Sequence, residues 1–451
     1  MNTNVSTQLN QSIQPMSSMP FDMASGAVAS VTGLEKIERQ TLENGMQLFV
    51  NPFDHAPRMS IYFFIPGGNL LDSVPGMSDI VDRLLMKGTS NRTQEEMALA
   101  IDQLSLELDV DTRRDFSMIG ATFLPEDLEA SLDIVSDIVY NATLESFERE
   151  KMVMVGEIQM EMDSPQARAS DQMIRTVFAD TLYGVTSTVF LEHVEKIQTL
   201  EQLQTHYHGV YRPENMIVSL AGKWPENVNI EALLAQYFPK KEQGEPLHVS
   251  TDVVKLVSSV TIPESKVITS PKEDSSQLNM YKAWLAPTVG HKDYYPLVVL
   301  NTLFGGGGLS SRLFLELRDK QGLAYSVRSS YEGYRHSGLF SIYMGTEPSN
   351  KDKCLQGFEK ECERLFNEIV SDKELAETKQ NILGRRTVFL ETASQWASYV
   401  GSNMTLGRNF EEMAQFAERI QSVTAEDIQR VAKTYLDQPA VVSMVGPTEA
   451  M

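Results

Sequence analysis

A guanidinium and a phenol held near one another can donate hydrogen bonds to a carbonyl oxygen that gains negative charge under attack, and one stretch of this chain supplies both groups. In residues 301–327, NTLFGGGGLSSRLFLELRDKQGLAYSV, Arg312 and Tyr325 follow four glycines, Gly305, Gly306, Gly307 and Gly308. The residues alone leave a plainer reading open. In it Arg312 is an exposed helix residue paired with Glu316, and Tyr325 is a strand aromatic packed on the core. The glycine run permits positive φ and close backbone approach, so it reads as a sharp bend or as a flexible lip that admits a ligand. It is not a phosphate loop. Leu309, Ser310, Ser311 and Arg312 stand where a Walker motif needs Lys and Ser/Thr, and no frame gives G-x-G-x-x-G.

The elements that must hold these groups follow from local pattern. Ser310 or Ser311 caps a helix whose buried stripe is Leu313, Phe314 and Leu317; Gly322 ends it, and a strand restarts over 323–327. Upstream, Asn44-Gly45 marks a hairpin turn, and residues 59–65 read as a half-buried strand. Met77, Ile80, Val81, Leu84 and Leu85 recur at helical spacing in a helix ended by Lys87-Gly88-Thr89. Helices are expected over 94–106, from Pro125 through the stripe Leu128, Leu132, Val135 and Val139, and over 148–162. The alternating run 116–123 is a strand.

After a Lys-, Glu-, Pro- and Ser-rich stretch this order of elements begins again. Residues 278–285 match 59–65, the helix after the glycines matches 77–87, 338–345 matches 116–122, and the Cys354 helix matches the Leu128 helix. That repeat at a spacing of roughly 220 residues reads as a duplicated domain. The expected organisation is a disordered or draped tail (1–33), a first domain (34–240), a linker (241–262) and a second domain (263–451). Both domains are α+β, each a mostly antiparallel sheet packed with helices.

Composition excludes several function classes. The chain has 451 residues, 42% of them hydrophobic, enough for two cores, and a formal net charge of −22. That balance argues against nucleic acid or an anionic membrane as partner, since both call for Lys/Arg patches. No apolar run is long enough for a membrane helix, and the N-terminus lacks signal-peptide order, so a soluble protein is expected. Cys354 and Cys362 share one helix about 12 Å apart, too far to bridge. The seven histidines are scattered, with no carboxylate at ligand spacing, and no G-x-S-x-G elbow is present.

The 301–327 segment closely resembles the glycine-rich loop and R/Y motif in the second domain of insulinase/pitrilysin-type zinc peptidases, in the short, two-domain, processing-peptidase-like branch. The resemblance spans roughly residues 35–445. It implies that two homologous domains form half of a clam-shell, that Arg312 and Tyr325 reach toward a zinc centre, and that the edge strand on which an extended substrate lies corresponds to residues 116–123. Active members carry H-x-x-E-H in the context G-L-A-H-F-L-E-H-M-x-F-K-G-T. Its two histidines grip zinc from one helix face and its Glu activates water. The same context here reads GMSDIVDRLLMKGT, so Asp79 and Arg83 replace the histidines and Asp82 the Glu. Arginine has no lone pair to offer a metal. An ordinary ion pair between Asp79 and Arg83 at i, i+4 is expected instead. The third family ligand aligns with Glu157, expected to be a polar helix residue.

Three functions compete. In the first, the chain is a metal-free subunit of a heterodimeric zinc endopeptidase. It holds no cofactor itself and supplies Arg312 and Tyr325 to the zinc of an H-x-x-E-H partner that cuts unstructured peptides; by resemblance the compartment is periplasmic. In the second it is a non-catalytic scaffold or peptide-binding subunit of a larger complex. In the third, Asp79, Asp82 and Glu157 hold a hard cation for a self-sufficient enzyme.

Overall fold

The computed structural model describes Leu34 and residues 37–52, 57–225, 227–241 and 246–450. The expected tail 1–33 and His55 lie outside the described residues. The first sheet contains β1 (Glu38–Thr41), β2 (Gln47–Pro52), β3 (Met59–Pro66), β4 (Glu107–Thr112), β5 (Phe116–Phe123) and β6 (Ile217–Gly222), in the order β1-β2-β6-β3-β5-β4. The second contains β7 (Lys266–Pro271), β8 (Leu278–Leu285), β9 (Ser326–Gly333), β10 (Gly338–Thr346) and β11 (Val441–Gly446), in the order β7-β11-β8-β10-β9. With β1 set aside, the two orders coincide strand for strand. Each sheet has one parallel pair, β2 with β6 and β7 with β11, and is antiparallel elsewhere.

The helices of the first half are α1 (Met77–Leu85), α2 (Gln94–Gln103), α3 (Leu128–Asn141), α4 (Phe147–Glu161), α5 (Pro165–Val177), α6 (Ser187–His193), α7 (Leu200–Val210) and α8 (Ile230–Tyr237). Then follow α9 (Thr251–Ser258), α10 (Tyr294–Asn301), α11 (Lys351–Asn367), α12 (Asp372–Phe389), α13 (Ala393–Thr405), α14 (Phe410–Ala414), α15 (Phe416–Ser422) and α16 (Ala425–Leu436). The duplication reaches down to the caps. Helices α7 and α16, each leading into the matching strand β6 or β11, both start with a capping box, Thr199 with Gln202 and Thr424 with Asp427.

Four expectations change. The helix that matches α1 is α10, not the one after the glycines: α10 follows β8 as α1 follows β3, and it packs on β9 and α16 as α1 packs on β4 and α7. The helical turns over 312–319 stand in the place of α2. Strand β3 is buried on both faces rather than half-buried, because α13 crosses from the second half to cover the outer face of the first sheet. There Leu390, Trp396, Ala397 and Val400 pack on Phe49, Phe64, Phe116 and Ile217. The exchange is reciprocal, with α5 of the first half lying on β8 and β11. The edges of the first sheet are β1 and β4, whereas β5 pairs on both sides and is buried throughout. Finally, the stretch expected to be a linker contains α9, whose Val257 is buried in the same cluster as Tyr183, Val441 and Val445.

Candidate functional site

Helix α1 carries the degenerate motif, and its N-terminus is fastened by a group no local pattern announces. Both oxygens of Asp72 accept backbone bonds, from Gly76 N and Ser78 N at 3.0 Å each, and Ser78 Oγ donates to Asp72 at 2.6 Å. His206 of α7 completes the cluster, its Nε2 lying 2.9 Å from Ser78 Oγ. Ser78 Oγ is thus held between Asp72 and His206, and the same carboxylate takes the amides at the start of α1. The trio is therefore a buried helix anchor and not a nucleophile with its base. Burial pushes Asp72 up to about 7 and His206 down to about 4. Serine, histidine and aspartate were invisible as a unit because 128 residues separate Ser78 from His206.

The three motif positions have separate fates. Asp79 accepts from Asn69 Nδ2 at 3.1 Å and is pushed up to about 6, mainly by burial. Asp82 accepts from the Tyr211 hydroxyl on one oxygen; the other is buried and without a hydrogen-bond partner. Burial pushes Asp82 up to about 8, so at neutral pH it carries its proton and cannot serve as a base. The expected Asp79–Arg83 pair does not form. Arg83 instead reaches across to α4, where Nη1 and Nη2 bind the two oxygens of Glu157 at 2.8 and 3.2 Å. Nη2 also lies 3.9 Å from buried Glu150, which Lys87 meets at 3.2 Å. Two carboxylates on α4 outcompete one on the same helix because a guanidinium binds a carboxylate in a two-pronged fork. Glu157, expected to be an ordinary polar residue, is the anchor of this clamp. A tethered cation thus bridges the second-histidine position and the third-ligand position. Among the described residues, no three His, Cys, Asp or Glu side chains converge as a metal site.

The second-half unit is built differently. Glycines 305–307 are demanded by contact: a Cβ at Gly305 would lie 2.4 Å from Ser329 N of β9, and Cβ atoms at Gly306 and Gly307 would press on Asn301 and Thr302. Only Gly308 needs glycine for its backbone, at φ +80°, and nothing lies near it. Most of the run therefore packs tightly, and freedom is confined to its end, where Leu309 is 72% exposed. Segments of π-helix flank the turn, Thr302–Gly306 and Phe314–Asp319.

The structure does not bring Arg312 and Tyr325 to a common surface. Arg312 is 9% exposed, and its Nε and Nη2 bind the carboxylate of Glu374 on α12 at 2.7 and 2.8 Å. Its Nη1 is buried without a partner. Glu316, the partner expected from spacing, is bound by Lys320 at 2.8 Å. Tyr325 is 52% exposed, and its hydroxyl donates to Glu347 at 2.8 Å, which holds the phenol above its ordinary pKa and hence protonated. The open groove around it is lined by Glu273, Gln277, Glu347 and Glu449. Sequence reasoning passed over Arg318. It is exposed, its guanidinium lies 4.9 Å from the centre of the Phe314 ring, and it has no carboxylate partner among the described residues. The helical period gives the signal: the buried stripe at Leu313 and Leu317 turns 318 outward and draws 312 in.

Comparison with known proteins fits this geometry. The profile of the insulinase family, peptidase family M16, matches residues 54–187, and that of the peptidase M16 inactive domain matches residues 198–382. An uncharacterized zinc protease of Mycobacterium leprae is 28% identical over 418 residues, covering 91% of each chain. One of Bacillus subtilis is 24% identical over 427 residues, covering 92% of this chain and 99% of its own. Among solved structures, a peptidase M16 inactive domain protein from Pseudomonas fluorescens superposes with a TM-score of 0.82 at 20% identity, covering 91% of this chain and 98% of that one. A chain of Complex III2 from Candida albicans gives 0.73 at 15% identity, covering 91% and 95%. At these identities the superpositions show the fold alone.

Proposed function

Since the chain belongs to the insulinase family of peptidases, family M16, we propose that it is the metal-free subunit of a heterodimeric zinc endopeptidase, acting on peptides at a zinc centre held by an H-x-x-E-H partner. The observation that carries this reading is the contrast between its halves. In the first, Arg83 binds Glu157 across α1 and α4, and burial raises Asp82 to about 8. In the second, a protonated phenol at Tyr325 stands exposed. A partner's zinc would supply the activated water; Tyr325 would donate a hydrogen bond to the carbonyl oxygen on which negative charge develops, and the exposed guanidinium of Arg318 would supply positive charge. Arg312 braces α12 through Glu374 and acts only indirectly.

The test is reconstitution with the H-x-x-E-H chain that copurifies from the native source, assayed on an unstructured peptide. Tyr325→Phe is expected to lower the rate about 10²-fold. An unchanged rate for Tyr325→Phe and Arg318→Ala together would overturn the reading. A second reading, a scaffold subunit without catalytic role, is favoured by one observation: the Tyr325 hydroxyl is already engaged by Glu347. It requires that no partner yields hydrolysis.

A further inference from the structure

We propose that Arg385 is the positioning residue of the glycine-rich lip. Arg385 and Glu157 occupy matching places in the duplicated halves: each stands seven positions before the residue that caps the next helix, Ser164 for α5 and Thr392 for α13. Each is preceded by a glycine, Gly156 or Gly384, that faces open space. In the first half this place receives a guanidinium from the neighbouring helix. In the second it supplies one, and Arg385 Nη1 donates to Gly306 O at 2.8 Å.

The carbonyl it takes is the last of the π-helical segment Thr302–Gly306 that extends α10. Carbonyls at a helix end lack partners within the helix and carry partial negative charge, so a guanidinium suits them. Arg385 has no carboxylate partner among the described residues, which leaves this bond as its polar commitment. The grip also falls at a boundary. Up to Gly307 the run is pinned by Ser329, Asn301 and Thr302; beyond it Gly308 turns through positive φ into space and Leu309 projects outward. Arg385 thus fixes the base from which the free tip extends. Segments of π-helix tend to mark functional sites, and of the two among the described residues one ends within this lip and the other follows it.

The relevance of the lip to catalysis rests on the proposed function, but the positioning itself is measurable on the isolated chain. Hydrogen exchange of the wild type is compared with Arg385→Ala and Arg385→Lys. In Arg385→Ala, amides over 303–309 are expected to exchange about tenfold faster, with α12 protection and the melting temperature unmoved, and Arg385→Lys recovers much of the protection. Unchanged exchange over 303–309 would overturn the proposal, as would a loss of protection spread through α12 with a lowered melting temperature. With the partner present, Arg385→Ala raises KM at unchanged kcat. Failure of the wild-type pair to turn over at all would sink the proposed function while the exchange result stands.

Discussion

In the first half a guanidinium on α1 runs into a carboxylate on α4; in the second, a guanidinium on α12 runs back to the end of α10. The two junctions join equivalent helices at equivalent places, yet they leave opposite surfaces. Arg83 fills the first junction with its own charge and matches it to Glu157 and Glu150. Arg385 leaves the second junction lined by backbone and glycine, while Tyr325 stands exposed in a separate groove beside Glu347. A tethered cation thus occupies the junction of α1 and α4, within a strand order that the second sheet shares. The equivalent place in the second half carries a guanidinium that donates to a backbone carbonyl.

The largest effect expected from breaking this contrast is a gain of metal. The triple change Asp79→His, Asp82→Glu and Arg83→His removes the tethered cation, frees Glu157 and restores both imidazoles, so about one zinc ion per chain is expected by elemental analysis. Absence of zinc in a folded triple variant would show that more than the clamp excludes it. Next is Arg312→Ala, which leaves Glu374 half-buried without its fork. A loss of roughly 2 kcal/mol in urea unfolding is expected, and the same loss in Glu374→Gln would place the effect in the pair. A small change for Arg312→Ala would return this residue to the list of candidate donors.

A pH effect of about 2 kcal/mol sharpens the contrast further. Asp82 and Asp72 are raised to about 8 and 7 by burial, so the folded state holds protons there that the unfolded chain has released. Their contribution is complete below the unfolded carboxylate pKa and is lost as pH rises through 7 and 8. His206, lowered to about 4, works oppositely but only below its unfolded value near 6.5. Between about pH 6.5 and 8 stability is thus expected to fall as pH rises, and Asp82→Asn to flatten that slope in thermal melts. The smallest effect is Glu157→Gln. Its clamp with Arg83 is half exposed, so about 0.5–1 kcal/mol is expected, and a larger loss would show that Glu150 depends on it.

Much of the fold was legible because its signals are local. The periodicity of Met77–Leu85, the Asn44-Gly45 turn and the second round of strands and helices all appear as expected. Long-range partners were not legible. Nothing near Arg312 announces Glu374, sixty-two residues on, and the i, i+4 rule pointed Arg83 to Asp79 when α4 offered two carboxylates. The burial of β3 and β5 on both faces depends on helices traded between halves, which alternation along one strand cannot record. Matching the helix after the glycines to α1 failed for a related reason. The glycine-rich motif lies in the segment after α10, so matching by motif shifts the pairing by one helix relative to strand order.

The most direct measurement is where zinc resides in an active pair. Native mass spectrometry of the reconstituted heterodimer, followed by separation of its subunits, reads the metal on each chain alongside the rate of peptide cleavage. The prediction is zinc on the H-x-x-E-H chain alone, with Tyr325→Phe of this chain slowing cleavage about 10²-fold while zinc occupancy stays the same. Zinc held by this chain, with cleavage by it in isolation, would contradict the account.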